Sequence, residues 1–325
     1  MPKSKSFFKK TAKIVGIIVA LIFVLSSIGF MAIFWGSKYS AVEKREGRWQ
    51  SKVTNQELEM RKKWVNENPR SAFYRRELAR AYQDANQLEL ALKEAKEALK
   101  LEPKNEMNYR LLVSIYTRSN RNKEAIEMMK KLVQLKPDDY QTLEDLGSLY
   151  FQINDFTDAI ETFKKASLLK PNAKLPHQIL AFIYIRNNQK NKAIEEYQWL
   201  IKNYPTEIGA YISLSELYKE IGNLDKALDV LKQALIYNQQ VAYLYIEMGE
   251  IYKTQKKWKE AFENYDQALK LEPDNLDYHK KVALAYKEKG DKEKAKEYLK
   301  KALALSKKQK SASLTKEIEE ELKKL

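Results

Sequence analysis

Three residue types recur along this chain at one spacing. Prolines stand at Pro69, Pro103, Pro137, Pro171, Pro205 and Pro273, each step 34 residues except the last, which is 68 and passes over Gln239. Tyrosines keep the same period without a gap, at Tyr82, Tyr116, Tyr150, Tyr184, Tyr218, Tyr252 and Tyr286, and so do alanines at Ala91, Ala125, Ala159, Ala193, Ala227, Ala261 and Ala295. A chain built this way is not one conventional globule. Each period is a supersecondary unit that cannot bury its apolar face alone and must stack on its neighbours. The repeats run 72–105, 106–139, 140–173, 174–207, 208–241, 242–275 and 276–309.

One repeat is enough to read the local physics. In 140–173, Leu143, Leu146, Gly147 and Tyr150 fall at helical spacing and give a first helix one apolar face. Asn154-Asp155 breaks the chain; Ala159, Phe163, Ala166 and Leu169 mark the face of a second helix, and Pro171 ends it, because proline lacks the amide hydrogen and clashes with the preceding turn. Alanine and glycine at the crossing let two backbones approach. Only nine glycines and eight prolines occur in 325 residues, which also favours helix. The expectation is an all-α chain of stacked hairpins, an α-solenoid.

The pattern resembles the tetratricopeptide repeat family, whose signature is W-x₂-L-G-x₂-Y, then A-x₃-F-x₂-A, then P. Leu146, Gly147, Tyr150, Ala159, Phe163, Ala166 and Pro171 fit it almost fully, as do Gly249, Tyr252, Ala261, Tyr265, Ala268 and Pro273. The signature tryptophan is replaced by Arg75, Tyr109, Leu143, His177, Tyr211, Tyr245 and His279, and Lys307 stands where the last proline would be, so the last second helix is free to run on. The resemblance covers 72–309 and implies a right-handed superhelix of about seven hairpins. Two segments read as caps. Thr54-x-x-Glu57 is a capping box opening a half-repeat over 54–71, with Leu58, Trp64 and Val65 on one side. At the other end 310–325 carries a stripe of Leu314, Ile318, Leu322 and Leu325, which suits a C-terminal capping helix after a break at Lys307–Ser313.

The N-terminal region differs in kind. Ile14 to Trp35 is nearly all apolar, and its 22 residues as a helix span roughly 33 Å, enough for a bilayer core. A basic tail (1–13) with Lys3, Lys5, Lys9, Lys10 and Lys13 precedes it, and a juxtamembrane linker (36–53) follows, beginning near Trp35 and Tyr39, where interfacial aromatics belong. The rival reading is a cleaved signal peptide, with Ser27 and Gly29 as the small-residue pair, but the apolar run continues past them. The expectation is an uncleaved, single-pass anchor with its N-terminus inside. The repeats then lie outside the cytoplasm, in the periplasm or at the outer face if the cell is bacterial. Ala12, Gly16 and Ala20 form a small-xxx-small pattern of the type that pairs membrane helices.

Charge and chemistry narrow the function. The formal charge is +15, of which residues 1–53 hold ten basic and two acidic side chains; the remainder is mixed in sign, which argues against nucleic acid as partner. Without cysteine there is no disulfide, thiolate nucleophile or lipid-modified N-terminal cysteine. The only histidines, His177 and His279, stand three repeats apart at one register position, where a packing role is expected rather than a shared metal. No glycine-rich phosphate loop or nucleophile motif is present, so neither enzyme activity, cofactor, metal nor small-molecule substrate is expected.

What remains is a surface. In the resembled family the concave groove is lined by the first helix of each repeat at positions 2, 5, 9 and 12. Carried onto this chain, those positions give Arg76, Arg80 and Arg110, with Met107, then Phe151, Leu175, Phe182, Ile185 and Ile212, then Tyr243 and Ile246 with Glu216 and Glu250 between. The groove so drawn is basic toward the anchor and apolar in the middle, suited to a peptide or helix with an acidic flank. The family's clamp for chaperone C-terminal carboxylates needs a Lys/Asn/Asn/Lys/Arg set over three repeats, and Leu111, Gln141 and Asp145 depart from it. The expected function is a membrane-anchored scaffold or adaptor that holds a protein partner. The alternatives are a structural subunit assembling through the convex face or edges, including homo-oligomers, and an accessory subunit of an envelope or polysaccharide assembly machine. A membrane-anchored bacterial relative in that last class carries a four-cysteine metal module that this chain lacks.

Overall fold

The computed structural model describes residues 53–325, and within them the chain is sixteen α-helices with no strand. Two compact units divide at Leu135/Lys136. The N-terminal unit holds α1 (Asn55–Glu67), α2 (Ala72–Asp84), α3 (Leu88–Leu101), α4 (Glu106–Arg118) and α5 (Asn122–Leu135). The C-terminal unit holds α6 (Tyr140–Gln152), α7 (Phe156–Leu169), α8 (Lys174–Arg186), α9 (Lys190–Asn203), α10 (Ile208–Glu220), α11 (Leu224–Tyr237), α12 (Ala242–Thr254), α13 (Trp258–Leu271), α14 (Leu276–Lys289), α15 (Lys292–Lys308) and α16 (Ala312–Lys323). Within each unit a helix packs chiefly on the next one in sequence, the signature of a helical-repeat stack. The expected membrane span, Ile14–Trp35, lies outside the described residues with the rest of 1–52; among the described residues no helix is long and apolar enough to cross a membrane.

The periodic residues have definite jobs. All seven repeating alanines are fully buried, at 0 % exposure, where the two helices of a hairpin cross. The turn within each hairpin is a Schellman motif. The residue at positive φ is Asn86, Asn120, Asn154, Asn188, Gly222, Lys256 or Gly290, again 34 apart, and the next amide donates to the carbonyl of the repeating tyrosine, as Gln87 does to Tyr82 at 2.8 Å and Asp155 to Tyr150 at 2.9 Å. Asparagine and glycine tolerate this backbone; Lys256 occupies it at a cost on the order of 1 kcal/mol. The turn between hairpins uses proline. The residue before it, such as Glu102 (φ −131, ψ 75) or Lys170 (φ −133, ψ 80), is pushed out of the helical region by the following ring while its amide still bonds the last turn.

The ends differ from the middle. Thr54 and Glu57 form a reciprocal capping box at the start of α1, whose Leu58 and Val65 are buried. At the other end α15 continues to Lys308, past the missing proline, so the break is narrower than Lys307–Ser313 and falls at Gln309–Ser311. There α16 seats Ile318, with no exposed surface, against Leu276, Ala283, Leu299 and Ala302.

Helix crossings are tightest where glycine faces an aromatic ring. A Cβ on Gly147 would sit 3.0 Å from the ring of Phe163, and one on Gly249 only 2.5 Å from Tyr265. Tyr265 cannot retreat, since it is fully buried and its hydroxyl donates to Glu250 at 2.6 Å. Gly249→Ala is therefore expected to destabilise the C-terminal unit by about 2 kcal/mol despite the helix propensity gained. Adding Tyr265→Leu should return part of the loss, which a double-mutant cycle in urea unfolding will measure.

Candidate protein-binding face

The sequence-derived groove residues divide sharply once their surroundings are seen. In the N-terminal unit, Arg76 does not line an open surface. It is 5 % exposed, and its Nη1 donates to Glu102 Oε2 at 2.7 Å and Asn108 Oδ1 at 3.1 Å. Asn108, itself fully buried, donates in turn to the carbonyls of Ala98 and Glu102. This network ties α2 to the end of α3 and the start of α4, and Arg76 with Asn105 holds the Glu102 carboxyl below its ordinary range. Arg80 is exposed and bonds Glu77 at 2.7 Å; Arg110 is half-buried and bonds Glu106 at 2.8 Å. On the first helices α2 and α4 the exposed large apolar residues are Phe73 and Met107, both at position 2 of their repeats. Phe73 satisfies the same positional rule as Met107, so its place in the repeat is the signal that marks it.

In the C-terminal unit, Ile246 and Phe151 are also misplaced as surface residues. Ile246 has no exposed surface and belongs to a core cluster with Ala261, Tyr265 and Val282. Phe151 is buried, edge-on to Phe182 at 5.5 Å and 6.0 Å from Phe156, so it supports Phe182 from beneath. Phe182, Leu175, Ile185 and Ile212 are half-buried, and Tyr243 is 36 % exposed. These five belong to three consecutive first helices, α8, α10 and α12, and of the sequence-derived residues in this unit they keep both the apolar character and the access that a docking surface needs; Leu284 on α14, at the register position of Phe182, is exposed as well. Arg186 lies 6.0 Å from the ring centres of both Phe156 and Phe182.

Acidic groups share these helices. Glu247 is bonded by Lys219 at 2.5 Å, and Glu250 by Lys253 at 2.7 Å and by Tyr265. Burial alone would raise Glu250, but Lys253 and the Tyr265 hydroxyl outweigh it and hold the carboxyl low. Glu216 shifts the other way, pushed up by loss of water and then by Glu247. Burial likewise pushes the Tyr243 phenol up.

The histidines serve packing. His177 stacks on Trp199 at 3.5 Å with Nδ1 2.6 Å from Glu196. His279 donates from Nε2 to the Pro273 carbonyl at 2.8 Å. Arg75 and Tyr109, at the same repeat position, donate to the carbonyls of Pro69 and Pro103. The position of the signature tryptophan is thus, in these three repeats, a donor that fastens the preceding proline turn. Among the described residues no group of three histidines and carboxylates could hold a metal.

Family models agree with this architecture. The tetratricopeptide repeat matches residues 208–240 and 240–308, and the model described as Psidin, N-terminal TPR repeats region, matches 78–206. The chain is a tetratricopeptide repeat protein. It carries a protein-interaction scaffold, and the unit that family models recognise extends over most of its length. Among solved structures, a chain of Naa15/Naa10 bound to HypK-THB is 18 % identical with a TM-score of 0.56, covering 85 % of this chain and 43 % of that one. The MamA protein is 26 % identical at a TM-score of 0.48 over 54 % of this chain and 95 % of its own. YrrB, described as a TPR protein with an unusual peptide-binding site, is 20 % identical at 0.44 over 56 % and 94 %. No curated protein matches the chain.

The burial of Arg76 makes a testable distinction. Arg76→Glu would place two carboxylates in one buried network and is expected to destabilise the N-terminal unit by roughly 3 kcal/mol, whereas Arg80→Glu should change stability by less than about 0.5 kcal/mol. Hydrogen exchange of the α2 and α4 amides in the two variants will separate a folding role from a surface role.

Proposed function

We propose that this tetratricopeptide repeat protein is a membrane-anchored adaptor. It takes up a peptide or helix of a protein partner on the first helices of its C-terminal unit, and it acts by binding, without chemistry of its own. The observation that carries the reading is the persistence of accessible apolar side chains, Leu175, Phe182, Ile185, Ile212 and Tyr243, on three consecutive first helices whose remaining apolar residues are spent on the core. The apolar segment Ile14–Trp35 supplies the anchor and the basic tail stays inside, which carries the repeats outside the cytoplasm.

Two measurements test it. Reporters active only inside or only outside the cytoplasm, fused after Leu325, should give the outside signal; the inside signal would reverse the orientation. In partner capture by cross-linking in intact cells, Phe182→Asp and Leu175→Asp should each remove the captured proteins while the thermal melt stays cooperative. Retention by both variants would remove this face from consideration.

A second reading has its own observation. Leu168 and Ile236 are 79 % and 74 % exposed and occupy the same position near the ends of α7 and α11, two repeats apart. Such residues suit assembly through the second helices. If assembly is the main function, the full chain in detergent will sediment as an oligomer that Leu168→Ser with Ile236→Ser dissociates; a monomer in both forms excludes it.

A further inference from the structure

The apolar face of the C-terminal unit has an electrostatic asymmetry that specifies its occupant more narrowly. The basic side chains around its acidic end are already engaged: Lys219 with Glu247 at 2.5 Å, Lys253 with Glu250 at 2.7 Å, and Lys190 with Glu220 at 3.0 Å. Glu216 has no ion pair of its own among the described residues, and its side chain is exposed. The groups that act on it from α9 and α12 are neutral or negative. From α9 there is Tyr197, whose hydroxyl bonds Ser213; from α12 there are Glu247 and Tyr243; on its own helix Glu220 adds a further negative charge and Lys219 is the one cation. Both tyrosines are pushed up by burial and stay neutral. Though the residue is exposed, the protein packed around its carboxyl and then Glu247 push it up, against the opposing pull of Lys219.

The apolar contacts adjoin it. Ile212 is one helical turn before Glu216 on α10, Tyr243 is on the next first helix, and Phe182 and Ile185 are on the preceding one. A segment lying across α8, α10 and α12 meets apolar surface first and then a carboxylate in want of a cation.

We propose that this face selects a protein segment in which an aromatic or aliphatic side chain is followed closely by a lysine or arginine, the apolar group resting at Phe182 and Ile212 and the cation at Glu216. The proposal rests on the reading of this face as the docking surface. It reverses the polarity drawn from sequence, in which arginines steer an acidic flank: Arg76 is consumed within the fold, and an acidic segment on the C-terminal unit would meet the unpaired Glu216.

The test is selection of a random-peptide phage library on the immobilised full chain in detergent micelles. Selected peptides should pair an apolar residue with Lys or Arg. Their affinity should fall roughly tenfold or more with Glu216→Lys and clearly with Glu216→Gln, and exchanging the peptide's Lys for Glu should restore binding to Glu216→Lys but not to the native chain. If Phe182→Asp and Leu175→Asp abolish binding while both Glu216 variants bind normally, the docking face stands and the cation assignment falls. If all four variants bind normally, the docking reading itself has failed. Enrichment of acidic peptides would overturn the proposal. So would a photo-crosslinker at position 212 that captured the chain's own residues 1–52 in place of added peptide. Unaltered melting of the Glu216→Gln variant excludes a folding defect as the cause of its loss.

Discussion

The close crossing of two helices in every hairpin is the constraint on which the rest depends. Seven alanines, one per repeat, have no exposed surface, and a side chain this small lets the paired helices come close. The distance they permit fixes where the remaining core residues meet, and that in turn sets the 34-residue period, since each hairpin must present the next with the same surface. The exchange of size across a crossing shows how little slack is left: where the second helix offers Phe163 or Tyr265, the first helix has given up its side chain and carries Gly147 or Gly249. Turn chemistry is subordinate to the crossing. Asparagine, glycine and even a lysine serve in the left-handed position as long as the tyrosine carbonyl before it finds its amide.

The architecture was legible because it is periodic and local. Proline, tyrosine and alanine each answer to a geometric demand within one hairpin, so their spacing alone gives helix positions and stacking. The candidate face was less legible because accessibility is not local. Arg76 satisfies a positional rule for surface residues, yet Glu102 and Asn108 from two other helices draw it inward. Ile246 obeys the same rule and is enclosed by the next hairpin's Val282 and by Tyr265. Nothing in the spacing of a single helix records what the following helix will place over it. The expected N-terminal anchor is a reading of composition and length in residues outside those described.

Charges in this chain do two different kinds of work, and sequence does not tell them apart. Many of the described pairs are bridges within one helix, such as Lys62 with Glu59 or Lys301 with Glu297, worth little each. A smaller set joins consecutive repeats, as Lys190 does with Glu220 and Lys219 with Glu247, and acts on the stacking of neighbours. Against that background Glu216 is conspicuous for what it has not found. The same position holds Arg80, Phe182 and Leu284 in other repeats. It is therefore free to vary without disturbing the crossings, and recognition can change from repeat to repeat on an unchanged frame.

That a helix packs chiefly on its sequence neighbours limits how far an event at one place can be felt at another. Occupying the surface of α8, α10 and α12 would hold those hairpins more firmly, and the reinforcement fades over the adjoining repeats of the C-terminal unit, because among its described residues each helix packs chiefly on its sequence neighbours. Within that unit such a stack makes a good bracket and a poor lever: what one hairpin holds stiffens its neighbours first and is felt least by the hairpins farthest along the chain.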